Sequence, residues 1–295
     1  MEEDEVCGDG VMTEKLIPGW KYYNHAAIPT CAPHEVPDLT PVKDGRIWHI
    51  EGKKPLLVRY TTDWDCGYDT GWWYLIKEAP FDINILSSNS RKHIKEAFRK
   101  VRVEKIDPML HIDELYECSH NAFLKYKNAS NEPSRSQFEQ ECQLACEKKI
   151  EFWAGFDLKT EKIVGWLNVN VYDSWCEIVT AKFDPRYLYM RVSDALYASV
   201  LKSYLNECGK KYVSSGSRSI QHTTRTQEYK ESHFGYRKCF CFLNIVYSKK
   251  MNFLVTLLYP FRRITLHLGK FVKPLHQISA IMQMEQIRRA QRRCL

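Results

Sequence analysis

The sequence lacks long hydrophobic runs and a recognisable targeting segment. Apolar stretches such as Met251 to Tyr259 are far shorter than the roughly 20 residues that a membrane-spanning helix needs. The first residues, MEEDEVCGDG, are acidic and have neither the basic start nor the apolar centre of a secretory signal, and they do not resemble a transit peptide. These absences predict a cytoplasmic, soluble protein.

A disulfide framework and a metal-binding pattern are also missing. The chain has 11 cysteines, but none of them form a CxxC pair. An odd number without regular spacing predicts reduced thiols in the cytoplasm. Cys142 and Cys146 are one helical turn apart and could share a metal ion, but no companion pair of ligands has a matching spacing. Core packing is the favoured interpretation, and no metal site is expected.

Positive charge is concentrated near the end of the chain. The formal net charge is +7, and the residues from Ser248 onward contain ten Lys or Arg residues against Glu285 alone. The rest of the chain is therefore close to neutral. Such a segment predicts contact with an anionic surface, either lipid headgroups or RNA such as tRNA, and leaves membrane association open. DNA is not expected as a partner.

No internal repeat or low-complexity block divides the chain, but the predicted structural content changes near residues 100 and 248. With 295 residues and 44% apolar composition it can bury the core of one large domain or two small ones. Residues 1–100 are predicted to be a loop-rich part with short strands and one helix, and could be a partial second lobe. Residues 101–248 are predicted to be the main domain, and residues 249–295 a basic amphipathic helical tail whose last part, 283–293, is exposed.

The main domain has an informative order of predicted elements. A helix capped by Ser90 precedes it. From Val101 the pattern predicts a strand, a helix opened by Pro108, a helix with a capping box from Ser136 to Glu139, and three antiparallel strands. A helix capped by Ser193, a short strand, a helix with a capping box from Thr224 that ends at Gly235, and a long strand follow. The predicted strands cover residues 101–106, 151–157, 162–171, 175–183, 211–214 and 236–247.

This order, and the ending ESHFGYRK at residues 231–238, resemble the Gcn5-related N-acetyltransferase superfamily over residues 101–248. The loop-rich first part and the basic tail are similar to its Fem-type branch, whose members transfer amino acids or other acyl groups in cell-envelope chemistry. The resemblance implies an α+β fold with a mostly antiparallel central sheet, splayed between its fourth and fifth strands and flanked by helices.

The resemblance also places a donor-binding loop after the fourth strand. In acyl-CoA-using members this loop reads Arg/Gln-x-x-Gly-x-Gly/Ala, because glycines let the backbone N–H groups approach the pyrophosphate. Here the loop is DPRYLYMRVS, residues 184–193. In one register Tyr189 and Arg191 stand at the glycine positions, and in the other Arg191 and Ser193 do, so neither register supplies a glycine. The implied cofactor-binding residues are Phe183, Arg186, Arg191, Val192 and Ser193. A solvated loop with a helix cap is the alternative.

Acyl transfer to an amine needs a base, an acid and a polarised carbonyl. Glu177 on the fourth strand is the candidate base, and a charge on the solvent face of the strand is the alternative. The resemblance implies an acid tyrosine on the helix after the fifth strand; Glu231 stands at that position, and Tyr229, two residues earlier, is the candidate acid. His222 could titrate near neutral pH or be an ordinary surface residue. The segment KYVSSGSRS, residues 211–219, is predicted to form the rim of the splayed strands. Its implied substrate-binding residues are Ser215, Gly216 and Arg218.

Three functions remain open from the sequence. The first is an N-acyltransferase that uses acyl-CoA, such as acetyl-CoA, as cosubstrate and a small-molecule or peptide amine as acceptor, with no tightly bound cofactor. The second is a Fem-type transferase that uses aminoacyl-tRNA in cell-envelope or protein modification. The third is a non-catalytic binding module, because Tyr189 and Arg191 replace the glycines of the donor motif.

Overall fold

The computed structural model describes residues 16–125, 132–220, 225–269 and 275–291. Over these residues the chain forms two compact units. Of the described residues, unit 1 comprises 16–73, 219–220, 239–269 and 275–291, and unit 2 comprises 74–125, 132–218 and 225–238. In the part of the chain that is described, no helix is both long enough and apolar enough to cross a bilayer.

The strands are β1 (Trp20–Tyr23), β2 (Ala26–Pro29), β3 (Leu57–Thr62), β4 (Trp73–Glu78), β5 (Val101–Ile106), β6 (Glu151–Asp157), β7 (Ile163–Val171), β8 (Trp175–Phe183), β9 (Tyr212–Ser217), β10 (Arg237–Phe240) and β11 (Phe242–Tyr247). The helices are α1 (Thr40–Lys43), α2 (Ser88–Phe98), α3 (Ile112–Phe123), α4 (Arg135–Glu147), α5 (Val192–Leu201), α6 (Thr226–Phe234), α7 (Lys249–Leu258), α8 (Arg262–Leu268) and α9 (Leu275–Gln291).

A seven-stranded sheet of order β10-β4-β9-β8-β7-β6-β5 forms the frame of unit 2. Strands β5 to β8 are antiparallel neighbours, and short turns connect β6 to β7 and β7 to β8. Strands β8 and β9 run parallel and pair only over Trp175–Glu177 and Tyr212–Ser214. Beyond these residues the two strands separate. The predicted mixed fold with a splay between these strands is confirmed.

Helices cover both faces of this sheet. On one face α3 and α4 bury Leu115, Phe138 and Cys142 against Phe152 and Trp166. On the other face α5 approaches so closely that a Cβ at Gly165 would lie 2.8 Å from a methyl carbon of Val192. Two glycines, Gly155 and Gly165, pair across β6 and β7 beneath this valine. Their small size therefore positions the first turn of α5, which lies beside the splay.

Several local predictions need correction. The cap of α2 is Ser87 rather than Ser90, and the capping box of α4 joins Ser134 to Gln137 rather than Ser136 to Glu139. Arg191, not Ser193, is the N-cap of α5. The predicted strand 236–247 is divided into β10 and β11, which belong to different sheets. Gly235 ends α6 as predicted, in the left-handed conformation, whereas Thr224 lies outside the described residues.

Unit 1 contains a four-stranded sheet of order β1-β2-β3-β11. Its core includes Trp20, Ile47, Ile50 and Val58. In this unit β3 and β11 are antiparallel over their whole lengths.

Helix α9 corrects the prediction of an exposed helix over 283–293. The side chain of Glu285 is fully buried and accepts hydrogen bonds from Arg288, Arg289 and the Tyr247 hydroxyl at 2.7, 2.6 and 3.0 Å. Burial alone would raise the pKa of Glu285, but the bonds from the two arginines outweigh it and lower the pKa. Gln291 donates to the Thr70 carbonyl at 3.0 Å. The described part of α9 therefore uses its charges for internal contacts.

Candidate functional site

The site is built around the gap between β8 and β9. In β8 the register shifts so that Asn168 lies opposite Thr180 and Val169 opposite Ile178, which leaves Val179 as a bulge. The Asn168 side-chain oxygen accepts the Thr180 backbone N–H at 2.9 Å. The Thr180 N–H at the edge of the gap is therefore already bonded within the sheet.

On the other side of the gap, β9 turns away at Gly216. This residue has φ of 81°, a conformation that glycine adopts without strain. Its N–H donates to the Ser214 hydroxyl at 3.1 Å, and the Ser217 carbonyl accepts a hydrogen bond from Gln227 of α6 at 3.0 Å. The predicted rim of the splayed strands is thus connected to α6, and Arg218 follows β9 as a partly buried residue.

Lys230 of α6 is a candidate functional residue that the sequence did not reveal. Its side chain is 5% exposed, and its ammonium nitrogen hydrogen-bonds the Ser215 hydroxyl. The same nitrogen lies 4.6 Å from the centre of the Tyr197 ring. Burial lowers the pKa of Lys230 from 10.5 to about 7. A neutral amine at physiological pH can accept a proton, which an ordinary surface lysine cannot do.

A spacing of four residues between Lys230 and the buried Phe234 was the available signal for this lysine. It places both side chains on the inward face of α6. A single lysine in a helix is usually solvated, so the signal is weak without the tertiary structure.

Tyr229 and Ser193, predicted as acid and cofactor-binding residue, are brought together. Their hydroxyl oxygens are 3.1 Å apart. Burial, and then the charge of Asp194, raise the pKa of Tyr229. Burial also raises the pKa of Asp194, which is 4% exposed. Because its pKa is raised, Tyr229 remains protonated near neutral pH and can donate a hydrogen bond but cannot act as a base.

Two histidines extend this cluster on the same face of the sheet. The rings of His93 and His233 stack with centroids 5.9 Å apart, and His233 lies 4.4 Å from the Tyr229 ring. Burial lowers the pKa of His93, and the charge of Arg191 lowers it further. His93 is therefore biased toward its neutral form. The predicted His222 lies outside the described residues.

The predicted donor loop already contains its own counter-charges. Arg186 contacts Asp184 at 2.7 Å and Glu117 at 2.8 Å, and Asp184 is 1% exposed. Arg191 has φ of 60°, a value that favours glycine, and contacts Glu96 at 3.2 Å. The two guanidinium groups thus face three carboxylates. An incoming pyrophosphate would have to displace these ion pairs.

The other two predicted cofactor-binding residues have packing contacts. Val192 is 0% exposed above the paired glycines. Phe183 meets the ring of Tyr197 edge-on, with centroids 6.0 Å apart. Their positions fix the start of α5 and the end of β8.

Glu177 lies on the opposite face of the sheet from Lys230. It is in register with Asn170 on β7 and with Ser214 on β9. Because side chains alternate along a strand, Ser215 points to the other face. The structure therefore does not bring Glu177 together with Ser215, Tyr229 and Ser193.

A cavity of about 290 Å³ opens on the face that carries Glu177. It lies between α3, α4 and the strands β6 to β8, and its lining is aromatic with several polar groups. Six of the lining residues are Tyr116, Phe138, Trp166, Glu132, Asn168 and Lys182. Glu132 is paired with His120 at 3.0 Å. Asn168 and Lys182 place this cavity beside the part of β8 that borders the gap.

Comparisons with solved structures agree with this architecture. "Crystal structure of FemX" matches with a TM-score of 0.54 at 8% identity, covering 75% of this chain and 78% of that one. The chain therefore shares the fold of FemX. At this identity the likeness to FemX concerns the fold.

Two further structures match less closely. L-PGS from Bacillus licheniformis has a TM-score of 0.47 at 14% identity, covering 83% of this chain and 84% of that one. The PaiA N-acetyltransferase from Thermoplasma acidophilum, solved in complex with coenzyme A, has a TM-score of 0.30 at 13% identity, covering 37% of this chain and 74% of that one. No protein-family model and no curated protein matches the sequence.

Proposed function

We propose that this protein is a Fem-type transferase that moves an aminoacyl group from aminoacyl-tRNA to an amine. The observation that carries the proposal is the donor loop, in which Arg186 and Arg191 are occupied by Asp184, Glu117 and Glu96. Two guanidinium groups that are already paired with three carboxylates make a poor site for the pyrophosphate of an acyl-CoA. The Fem-type fold supports aminoacyl-tRNA as the donor instead.

The gap between β8 and β9 is the proposed place of reaction. The donor ester would lie on the face with Ser215 and Lys230, and the acceptor amine would enter from the cavity on the opposite face. Aromatic walls suit an acceptor that carries a positive charge near its reacting amine. The donor and the acceptor would then reach the gap from opposite faces of the sheet.

In the proposed mechanism Ser215 and Lys230 act as a proton relay. The acceptor nitrogen attacks the ester carbonyl carbon, and a carbon–nitrogen bond forms as the ester carbon–oxygen bond breaks. The proton from the amine passes to the Ser215 oxygen while the Ser215 proton passes to neutral Lys230. Protonated Lys230 then returns a proton through Ser215 to the departing ribose oxygen.

A competition between donor classes tests the proposal. The full chain is incubated with tRNA charged with radiolabelled amino acids, or with labelled acetyl-CoA, and with a panel of amines including lysine and polyamines. We expect labelled amide only from charged tRNA, and binding of tRNA that weakens as salt increases. Uncharged tRNA is the control for donor binding without transfer.

The acyl-CoA alternative predicts different results in the same assay. Thermal stabilisation by micromolar acetyl-CoA that disappears in Arg191→Ala, together with labelled amide from acetyl-CoA, would overturn the tRNA proposal. Absence of amide from both donors would leave a binding module as the better description, and would likewise contradict it.

A further inference from the structure

The segment Lys249–Leu268, made of α7, a short turn and α8, exposes an unusual amount of apolar surface. Phe253 is 72% exposed, Leu257 56%, Phe261 57% and Ile264 57%. We call these four residues the apolar strip. They are spaced by three or four positions, as expected for one side of a helical segment. On the opposite side Met251 and Val255 are buried.

Cations accompany the apolar strip. Lys249, Lys250 and Arg263 are exposed. Arg262 differs, because its guanidinium group lies 4.6 Å from the centre of the Tyr259 ring and donates to the Tyr259 carbonyl. The sequence has no Asp or Glu between Lys249 and Gly269. The surface is therefore apolar along its middle and positive beside it.

This combination matches the requirements of a bilayer surface. Large apolar side chains lose contact with water when they enter the boundary between headgroups and acyl chains. Each nearby Lys or Arg adds electrostatic attraction to an anionic leaflet. A strip of four large side chains is too costly to leave exposed without a role, since contiguous apolar patches on soluble proteins usually mark interaction sites.

RNA is a poorer fit for this surface. Nucleic acids are bound through cations on phosphates and through stacking of aromatic rings on exposed bases. Leu257 and Ile264 offer neither contact, and they are as exposed as Phe261. Aliphatic side chains favour the acyl region of a lipid layer instead.

We propose that α7 and α8 dock this protein on an anionic lipid bilayer, with the apolar strip inserted at the interface and the three exposed cations on the headgroups. The helices lie in the plane of the surface and do not cross it. This inference rests on unit 1 alone and does not depend on the reaction catalysed.

Vesicle co-sedimentation of the full chain tests the inference. Vesicles of phosphatidylglycerol mixed with phosphatidylcholine are compared with pure phosphatidylcholine at low and high salt. We expect strong binding to the anionic vesicles, reduced at high salt. A variant with serine at all four positions of the apolar strip should bind at least tenfold less, and Lys249→Glu with Lys250→Glu and Arg263→Glu should lose the preference for anionic lipid.

Ile85→Ser is the matched control, because Ile85 is 72% exposed in unit 2 and should bind vesicles like the unchanged chain. Circular dichroism confirms that each variant is folded. The proposal is overturned if the unchanged chain ignores anionic vesicles, or if the serine variant binds them normally. It is also overturned if the serine variant alters only self-association, or if the glutamate variant loses only tRNA binding.

Discussion

Burial of the Lys230 amine destabilises the fold and also makes this amine able to accept a proton. The amine is held beside Ser215 with 5% of the side chain exposed, and burial lowers its pKa from 10.5 to about 7. At about 1.36 kcal/mol for each pKa unit, this burial costs on the order of a few kcal/mol of folding free energy. We predict that Lys230→Met raises the melting temperature by several degrees and lowers transfer activity about a hundredfold or more.

Differential scanning fluorimetry and the amide-forming assay measure the two effects. A merely structural lysine would lower both stability and activity when replaced. Lys230→Arg is the control. Its guanidinium group stays protonated and cannot accept a proton, so this variant should also lose activity. It should not gain stability, because the buried charge remains. Full activity in Lys230→Met would contradict the proton relay.

The same residue predicts a pH dependence of stability. The pKa of Lys230 is about 7 in the folded chain and 10.5 when it is exposed. Between these values the unfolded chain binds one more proton than the folded chain, so this group makes stability rise with pH above about 7. Below pH 7 its contribution is constant. Urea unfolding of the unchanged chain and Lys230→Met between pH 6 and 9 should show a stability difference that narrows as pH rises.

At the scale of elements, two glycines determine how α5 sits on the sheet. A Cβ at Gly165 would lie 2.8 Å from Val192 Cγ2 and 3.0 Å from Phe183 Cδ1. We predict that Gly165→Ala destabilises the fold by about 1–3 kcal/mol, because the first turn of α5 must move. Val192→Ala removes the nearest methyl group and should rescue part of this loss. A double-mutant cycle in urea measures the coupling, and strict additivity would contradict the proposed contact.

The elements that were predicted correctly are those defined by local pattern. Strands β5, β6 and β8 have the predicted bounds, since alternation and short turns specify a meander locally. Glu139 three residues after Ser136 predicts a capping box there, but Ser134 and Gln137 offer an equally good pair two residues earlier. Sequence spacing alone could not choose between these capping boxes.

For the whole molecule, element order was sufficient to indicate the fold but not the reactive groups. The ion pairs of Arg186 and Arg191 involve Glu117 and Glu96, which are distant in sequence and cannot be assigned from spacing. Lys230 shows the same limit, because its burial depends on Ser215 and Tyr197 from other elements. The predicted roles of Glu177, Tyr229, Ser215, Gly216 and Arg218 stay predictions until they are replaced individually.

Because the two proposed activities lie in different units, we predict that vesicle binding and transfer can each be lost without the other. The apolar strip belongs to unit 1 and the Lys230–Ser215 pair to unit 2. The serine variant of the apolar strip should lose vesicle binding yet transfer label to a water-soluble amine at the rate of the unchanged chain. Lys230→Met should bind vesicles normally and fail in transfer. If the serine variant also loses transfer to a soluble amine while its circular dichroism is unchanged, the apolar strip serves the reaction itself and lipid docking is not its separate role.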